Sequence, residues 1–207
     1  MEFINGIEEL NKSLCEEAQI SIINHQQFKL MHYDKGSKFE RLVAHINYVT
    51  PLNDGYQIIL DNGKVICAYF NGECTIGDKH ANHIDFKSGH NRLVINNNSL
   101  VVEKLILTAK AVYDNALPVS FKGLCVNVKD GSGSIFTAME LGIQQNFRLN
   151  NLEWTLNSRN LVHGRYIKKL HKIVGKAIRF SANDLKLYQL LQLKNKVAVQ
   201  NYVAENY

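Results

Sequence analysis

Seven cationic side chains and no carboxylate fall between Trp154 and Asn183: Arg159, Arg165, Lys168, Lys169, Lys172, Lys176 and Arg179. That segment carries +7 against a net charge of +5 for the 207-residue chain, so the remainder is slightly acidic. A solvated helix face normally mixes both signs. A stripe of one sign is the electrostatic footprint of a polyanion binder, and Arg148 just upstream extends it. The other reactive side chains offer less. Cys15, Cys67, Cys74 and Cys125 form no C-x-x-C pair, which argues against a zinc knuckle and for reduced thiols. His25, His32 and His45 read as packing or surface residues.

The stripe follows two short blocks, V-N-V-K-D-G at 126–131 and N-N-L-E-W-T-L-N-S-R-N-L-V-H-G at 150–164. Together they resemble the core of HNH endonucleases, in particular the phage and intron homing type. Asn127, Lys129, Asp130 and Gly131 match the first block of that family. Asn151, Leu152, Glu153, Trp154, Asn160 and His163 match the second. The upstream run R-L-V-I-N-N-N-S-L-V-V-E-K-L-I-L-T-A-K-A-V looks like the short β-pair and helix that precede the core in that family, so the resemblance covers 90–164.

The resemblance implies a ββα-metal hairpin, in which a histidine at the end of the first strand deprotonates water and one divalent cation stabilises the leaving oxygen. Position by position, the metal ligands would be Asn127 and Asn151. The histidine position is held by Val128. Valine has no lone pair to accept a proton, and a general base contributes about 10²–10⁴-fold in rate. Two neutral amide oxygens also suit Mg²⁺ poorly, since it favours carboxylate. The spacer from Asp130 to Asn151 is longer than in the homing type, with Ser132–Gln145 inserted. The expectation is a nuclease scaffold without its chemistry: no catalytic residue, no cofactor, and vestigial metal positions at Asn127 and Asn151. Asp130, Gly131, Leu152, Trp154 and His163 would survive as structural signature, with Asn160 and His163 bonding nearby backbone or lying close to phosphate.

A rival placement exists. Asn82-His83-Ile84-Asp85, with Lys87-Ser88 and Asn91-Arg92-Leu93 after it, also resembles a histidine-bearing block of that family, but no L-E-W follows. There His83 would be the base of a live, Mg²⁺-dependent nicking enzyme; His163 is the other alternative base.

The elements that must position these residues follow from patterning. Ile4, Ile7, Leu10 and Leu14 give residues 1–20 one apolar helical face. Ile20–Tyr33 and Phe39–Tyr48 fit helix or strand equally. Pro51 and Pro118, the only prolines, bracket a strand-rich segment. In it Asn62-Gly63 marks a tight primed turn between Tyr56–Leu60 and Val65–Phe70. A second pair, Arg92–Ile95 and Ser99–Val102, turns at Asn96-Asn97-Asn98 and leads into a helix, Glu103–Tyr113. Leu161–Val174 reads as a basic amphipathic helix with Tyr166, Ile167, Leu170 and Val174 inward and Gly175 as its stop. Ser181–Asp184 has capping-box form before a Leu-rich helix to Leu193, and a break near Asn195 precedes a last helix, Val197–Asn206.

The fold expected is therefore α+β, an HNH-like ββα-metal core with flanking β-hairpins and N- and C-terminal helices, divided as 1–50, 51–118, 119–175 and 176–207. No apolar run reaches membrane-spanning length and the acidic amphipathic start is unlike a signal peptide, which points to a cytoplasmic protein. The resemblance and charge imply a sequence-specific binder of double-stranded DNA, a repressor or regulator in a phage or mobile-element setting within a bacterial host. The C-terminal helices would form a helix-turn-helix reader, a brace or a homodimer interface. An inhibitor that meets an acidic protein surface is a further alternative.

Overall fold

Two capping boxes settle the segments that periodicity leaves open. Asn24 and Gln27, and Ser37 and Glu40, exchange side chain–backbone hydrogen bonds at the starts of helices α2 (His25–His32) and α3 (Lys38–Ala44). The computed structural model describes residues 6–176, 179 and 185–207 and has an α+β fold. The first helix, α1, spans only Gly6–Lys12, not the whole of 1–20; a 3₁₀ turn at Glu16–Ala18 follows. Strand β1 (Ile22–Ile23) pairs with the later β10 (Leu117–Pro118).

A five-stranded antiparallel meander comes next: β2 (Ile46–Leu52), β3 (Gly55–Leu60), β4 (Val65–Tyr69), β5 (Cys74–Ile76) and β6 (Lys79–His80). It begins before Pro51, so the proline does not mark the boundary. Pro51 lies within β2, and β2 is an edge strand, where a missing N–H costs no ladder bond. The β3–β4 turn also differs from expectation. Leu60 N donates to Lys64 O across a three-residue loop in which Gly63 has φ 77°, a longer hairpin than the two-residue primed form.

The strands β7 (Asn82–Ile84), β8 (Asn91–Ile95) and β9 (Asn98–Val101) form a second sheet. Here the primed turn is real: Asn96 and Asn97 have φ 49° and 60°, and Ile95 faces Asn98. Chain direction then passes into α4 (Val102–Tyr113), whose Val102, Leu105, Ile106 and Ala109 are buried in the main core.

Past β10 come β11 (Leu124–Val128), a loop bearing α5 (Ile135–Leu141), β12 (Leu152–Leu156) and α6 (Asn157–Val174). Strands β11 and β12 are antiparallel, and α6 follows β12 without a break. Trp154, 1% exposed, closes this unit onto the main core. Its ring lies 5.4 Å from that of Phe121, and a methyl on Gly6 would sit 3.4 Å from Trp154 Cδ1.

Ile167 and Leu170 of α6 bury with Leu187, Leu191, Val199 and Val203 in a separate helical core. Its other helices are α7 (Leu185–Gln192) and α8 (Lys196–Asn206), the latter capped by Asn195. The expected capping box at Ser181–Asp184 lies outside the described residues. All four cysteines are free, with burial pushing Cys74 up to about 12 and Cys125 to about 11. No helix among the described residues is long and apolar enough to cross a membrane.

Candidate nucleic-acid interface

Register fixes the site first. Val128 pairs with Leu152, Asn127 with Glu153 and Val126 with Trp154, so Asn127 and Val128 stand at the loop end of β11. Asn127 is buried, and its Nδ2 donates to Glu153 Oε1 at 2.8 Å. The loop from Lys129 to Asn150 is held by Asn151, which is fully buried. Asn151 Oδ1 accepts from Asp130 N (3.2 Å) and from Arg179 Nε (3.2 Å), while Nδ2 donates to Asn146 O (2.6 Å). Asp130 Oδ1 accepts from Ser132 N at 2.8 Å and Ser132 Oγ from Asn146 N at 3.1 Å, which completes the pin.

Asn151 is therefore no partner of Asn127. Both ends of its amide are spent on the loop, a structural duty that its vestigial-metal assignment missed. What faces Asn127 is α6. A cleft of about 160 Å³ opens between the loop and α6, lined by His90, Glu103, Asn127, Asn160, His163 and Lys168, with Val128 at its wall. Gly131 lets α6 come this close: its φ is 80°, and a Cβ there would lie 2.8 Å from Ile167 Cγ1. His163 is 3% exposed, against the cleft wall.

His90 is the residue that sequence reading overlooked. Its Nδ1 lies 2.7 Å from Glu103 Oε1, and Glu103 is 3% exposed at the first turn of α4. The second oxygen, Glu103 Oε2, is buried without a hydrogen-bond partner among the described residues. The signal was present in the hairpin. Counting outward from Asn96–Asn97 sets Ile95 opposite Asn98, and the same count sets His90 opposite Glu103. Burial lowers the His90 pKa, but the hydrogen bond and charge of Glu103 outweigh it, and the net effect is a rise above the ordinary 6.5.

His83 lies elsewhere. It is exposed on β7 opposite Arg92, away from the cleft. The neighbouring Asp85 closes a tight turn, accepting from Ser88 Oγ (2.8 Å), Lys87 N (3.0 Å) and Arg92 Nε (3.1 Å). These hydrogen bonds hold its carboxyl down at about 2.

No family model, curated protein or solved structure matches this chain. The site's own chemistry must carry the reading. Mg²⁺ fits it poorly: the cleft offers neutral amide oxygens from Asn127 and Asn160 and a single carboxylate, Glu103, already engaged by His90. Among the described residues, no three His, Cys, Asp or Glu side chains gather as a metal site.

The cationic residues divide by what they touch. Arg165, Lys172 and Lys176 are exposed along α6 and just past it. Lys168 is exposed and ion-paired with Glu140. Arg148 is exposed beside Arg179, whose Nη2 donates to Asn150 Oδ1 at 3.0 Å. Two others are committed within the fold. Arg159 donates to Ser13 Oγ (2.7 Å) and Ser13 O (3.1 Å), and Lys169 Nζ to Leu191 O (2.7 Å). These two fasten α6 to the α1 end and to α7, which is not the phosphate contact expected of them.

Proposed function

We propose that this protein is a DNA-binding regulator built on an HNH-like ββα unit, the β11–β12–α6 segment, whose nuclease chemistry is lost at Val128. One observation carries the reading: the antiparallel pair runs straight into a helix that presents Arg165, Lys172 and Lys176 to solvent, beside a donor-rich cleft at the strand end. Backbone phosphates would supply most of the affinity, and with it a steep salt dependence. Base readout would fall to elements beyond these cations, with the α7–α8 pair as the candidate reader or dimer face. A phage or mobile-element setting in a bacterial cell accords with the resemblance.

The test is selection of bound fragments from candidate host and phage genomes at about 0.15 M salt, followed by incubation with Mg²⁺ or Mn²⁺ and sequencing of fragment ends. Enrichment of one discrete site with intact strands supports a regulator. No enrichment refutes DNA binding and moves the reading to an inhibitor of an acidic protein partner. A second reading, strand nicking, is favoured by one observation, the imidazole that His90 brings to the cleft. A defined nick in the enriched pool would establish it.

A further inference from the structure

Glu103 is a buried carboxylate with one satisfied oxygen. Oε1 meets His90 Nδ1 at 2.7 Å, and Oε2 has no hydrogen-bond partner among the described residues. A carboxylate buried in this way is costly unless its neighbour is a cation. Since Glu103 Oε1 can only accept, Nδ1 carries a proton, and the charge of Glu103 favours a second one on Nε2. The ring is one-third exposed, and Nε2 makes no hydrogen bond among the described residues. It lies on the cleft with Asn160, the Ser134 and Thr137 hydroxyls and Lys168. Apart from Glu103, no carboxylate among the described residues lines these walls.

The pair also stands at the strand end. A methyl built on Gly133 would be 3.0 Å from Val128 Cγ2 and 3.5 Å from His90 Cε1, so valine and imidazole flank the same glycine. With Nδ1–H committed to Glu103, a proton on Nε2 leaves the ring no lone pair with which to take one from water. In that form the cleft-facing nitrogen is a donor, and its natural ligand is an anion.

We propose that the His90–Glu103 pair seats one backbone phosphate of bound DNA in the cleft between the 128–134 loop and α6, with Nε2–H donating to a phosphate oxygen. This rests on the DNA-binding reading and assigns its central contact to a residue outside the basic helix. The charged and titratable groups that face His90 are Glu103 on α4, Arg92 on β8, Asp85 in the preceding turn, and His163 and Lys168 on α6. Of these, Glu103 and Asp85 favour the charged ring and Arg92 opposes it.

The experiment follows the His90 Cε1 proton by NMR across pH, in the free full-length protein and with a short duplex added, while anisotropy gives affinity at several salt concentrations for the parent and for His90→Gln. Tenfold tighter binding to the imidazolium form would raise the titration midpoint by about one pH unit in the complex. His90→Gln should lower the salt slope by about 0.9, the share of one phosphate, and flatten the pH dependence of binding. The midpoint measurement is made on the parent, so it stands even if the variant folds poorly. Binding with an unmoved midpoint and an unchanged slope would overturn the seat and leave DNA binding intact. Nicking that disappears in His90→Gln would also overturn it, since the ring would then be a base. No duplex binding at low salt would overturn the underlying reading as well.

Discussion

Replacing Arg165, Lys172 and Lys176 together by alanine should strip salt-dependent affinity without unfolding the protein. All three are exposed, and none contributes to either hydrophobic core. Each phosphate neutralised adds about 0.9 to the dependence of log affinity on log salt, so three contribute about 2.7. Across a fourfold rise in salt the parent should therefore lose about 40-fold more affinity than the triple variant. Anisotropy with one duplex, titrated at four or five salt concentrations, reads both slopes, and circular dichroism confirms that each protein is folded. Arg159→Ala and Lys169→Ala provide the contrast. Their cations are tied to Ser13 and to Leu191 O, so those changes should lower melting temperature and leave the slope nearly unchanged. A triple variant with the parent's slope, or an Arg159→Ala slope reduced as much as that of an exposed lysine, would refute the division of the stripe.

Other consequences concern the scaffold. Trp154→Ala removes the largest buried side chain and should cost about 3–5 kcal/mol in urea unfolding; a loss below 1 kcal/mol would show that the β12 side of the core is loosely packed. Gly131→Ala forces a φ of 80° on a residue with a Cβ 2.8 Å from Ile167 Cγ1, so it should destabilise by roughly 2 kcal/mol or more. Parent-like unfolding would mean that the loop does not press on α6. Although burial opposes ionisation, Glu40 is held at about 2 by hydrogen bonds from Ser120, Ser37 and Phe121. A folded pKa below the ordinary 4.5 means that its stabilisation is complete above that value and disappears as pH falls toward 2. Glu40→Gln should accordingly lose about 1.5–3 kcal/mol at neutral pH and melt with a flatter acid limb; an unchanged limb would contradict the assignment.

Legibility followed the range of the interaction. Local chemistry was readable: the Asn96–Asn97 turn, α4 beginning at its strand, the glycine stop of α6 and the break at Asn195 all stand close to where patterning put them, although α6 begins at Asn157, one turn before the expected Leu161. The helices α2 and α3 were also encoded, in Asn24/Gln27 and Ser37/Glu40, but short amphipathic runs hide helical periodicity and only the caps decide. Reading α1 on to residue 20 failed because Leu14 continues the apolar face while the backbone turns away after Lys12. At the site, the strand pair and helix were legible because they are contiguous. The duty of Asn151 was not, since amide ligation and loop pinning demand the same residue type, and only the partners Asp130 and Asn146 tell them apart. His90 required pairing across a hairpin instead of a motif.

Hydrogen exchange of the full chain with and without a short random-sequence duplex at about 0.05 M salt, where phosphate contacts are strongest, shows which face meets DNA. Slower exchange is expected in α6 and in the 128–134 loop, with the five-stranded β2–β6 meander unchanged. Protection confined to that meander, or none anywhere under conditions that saturate binding, would contradict binding through α6.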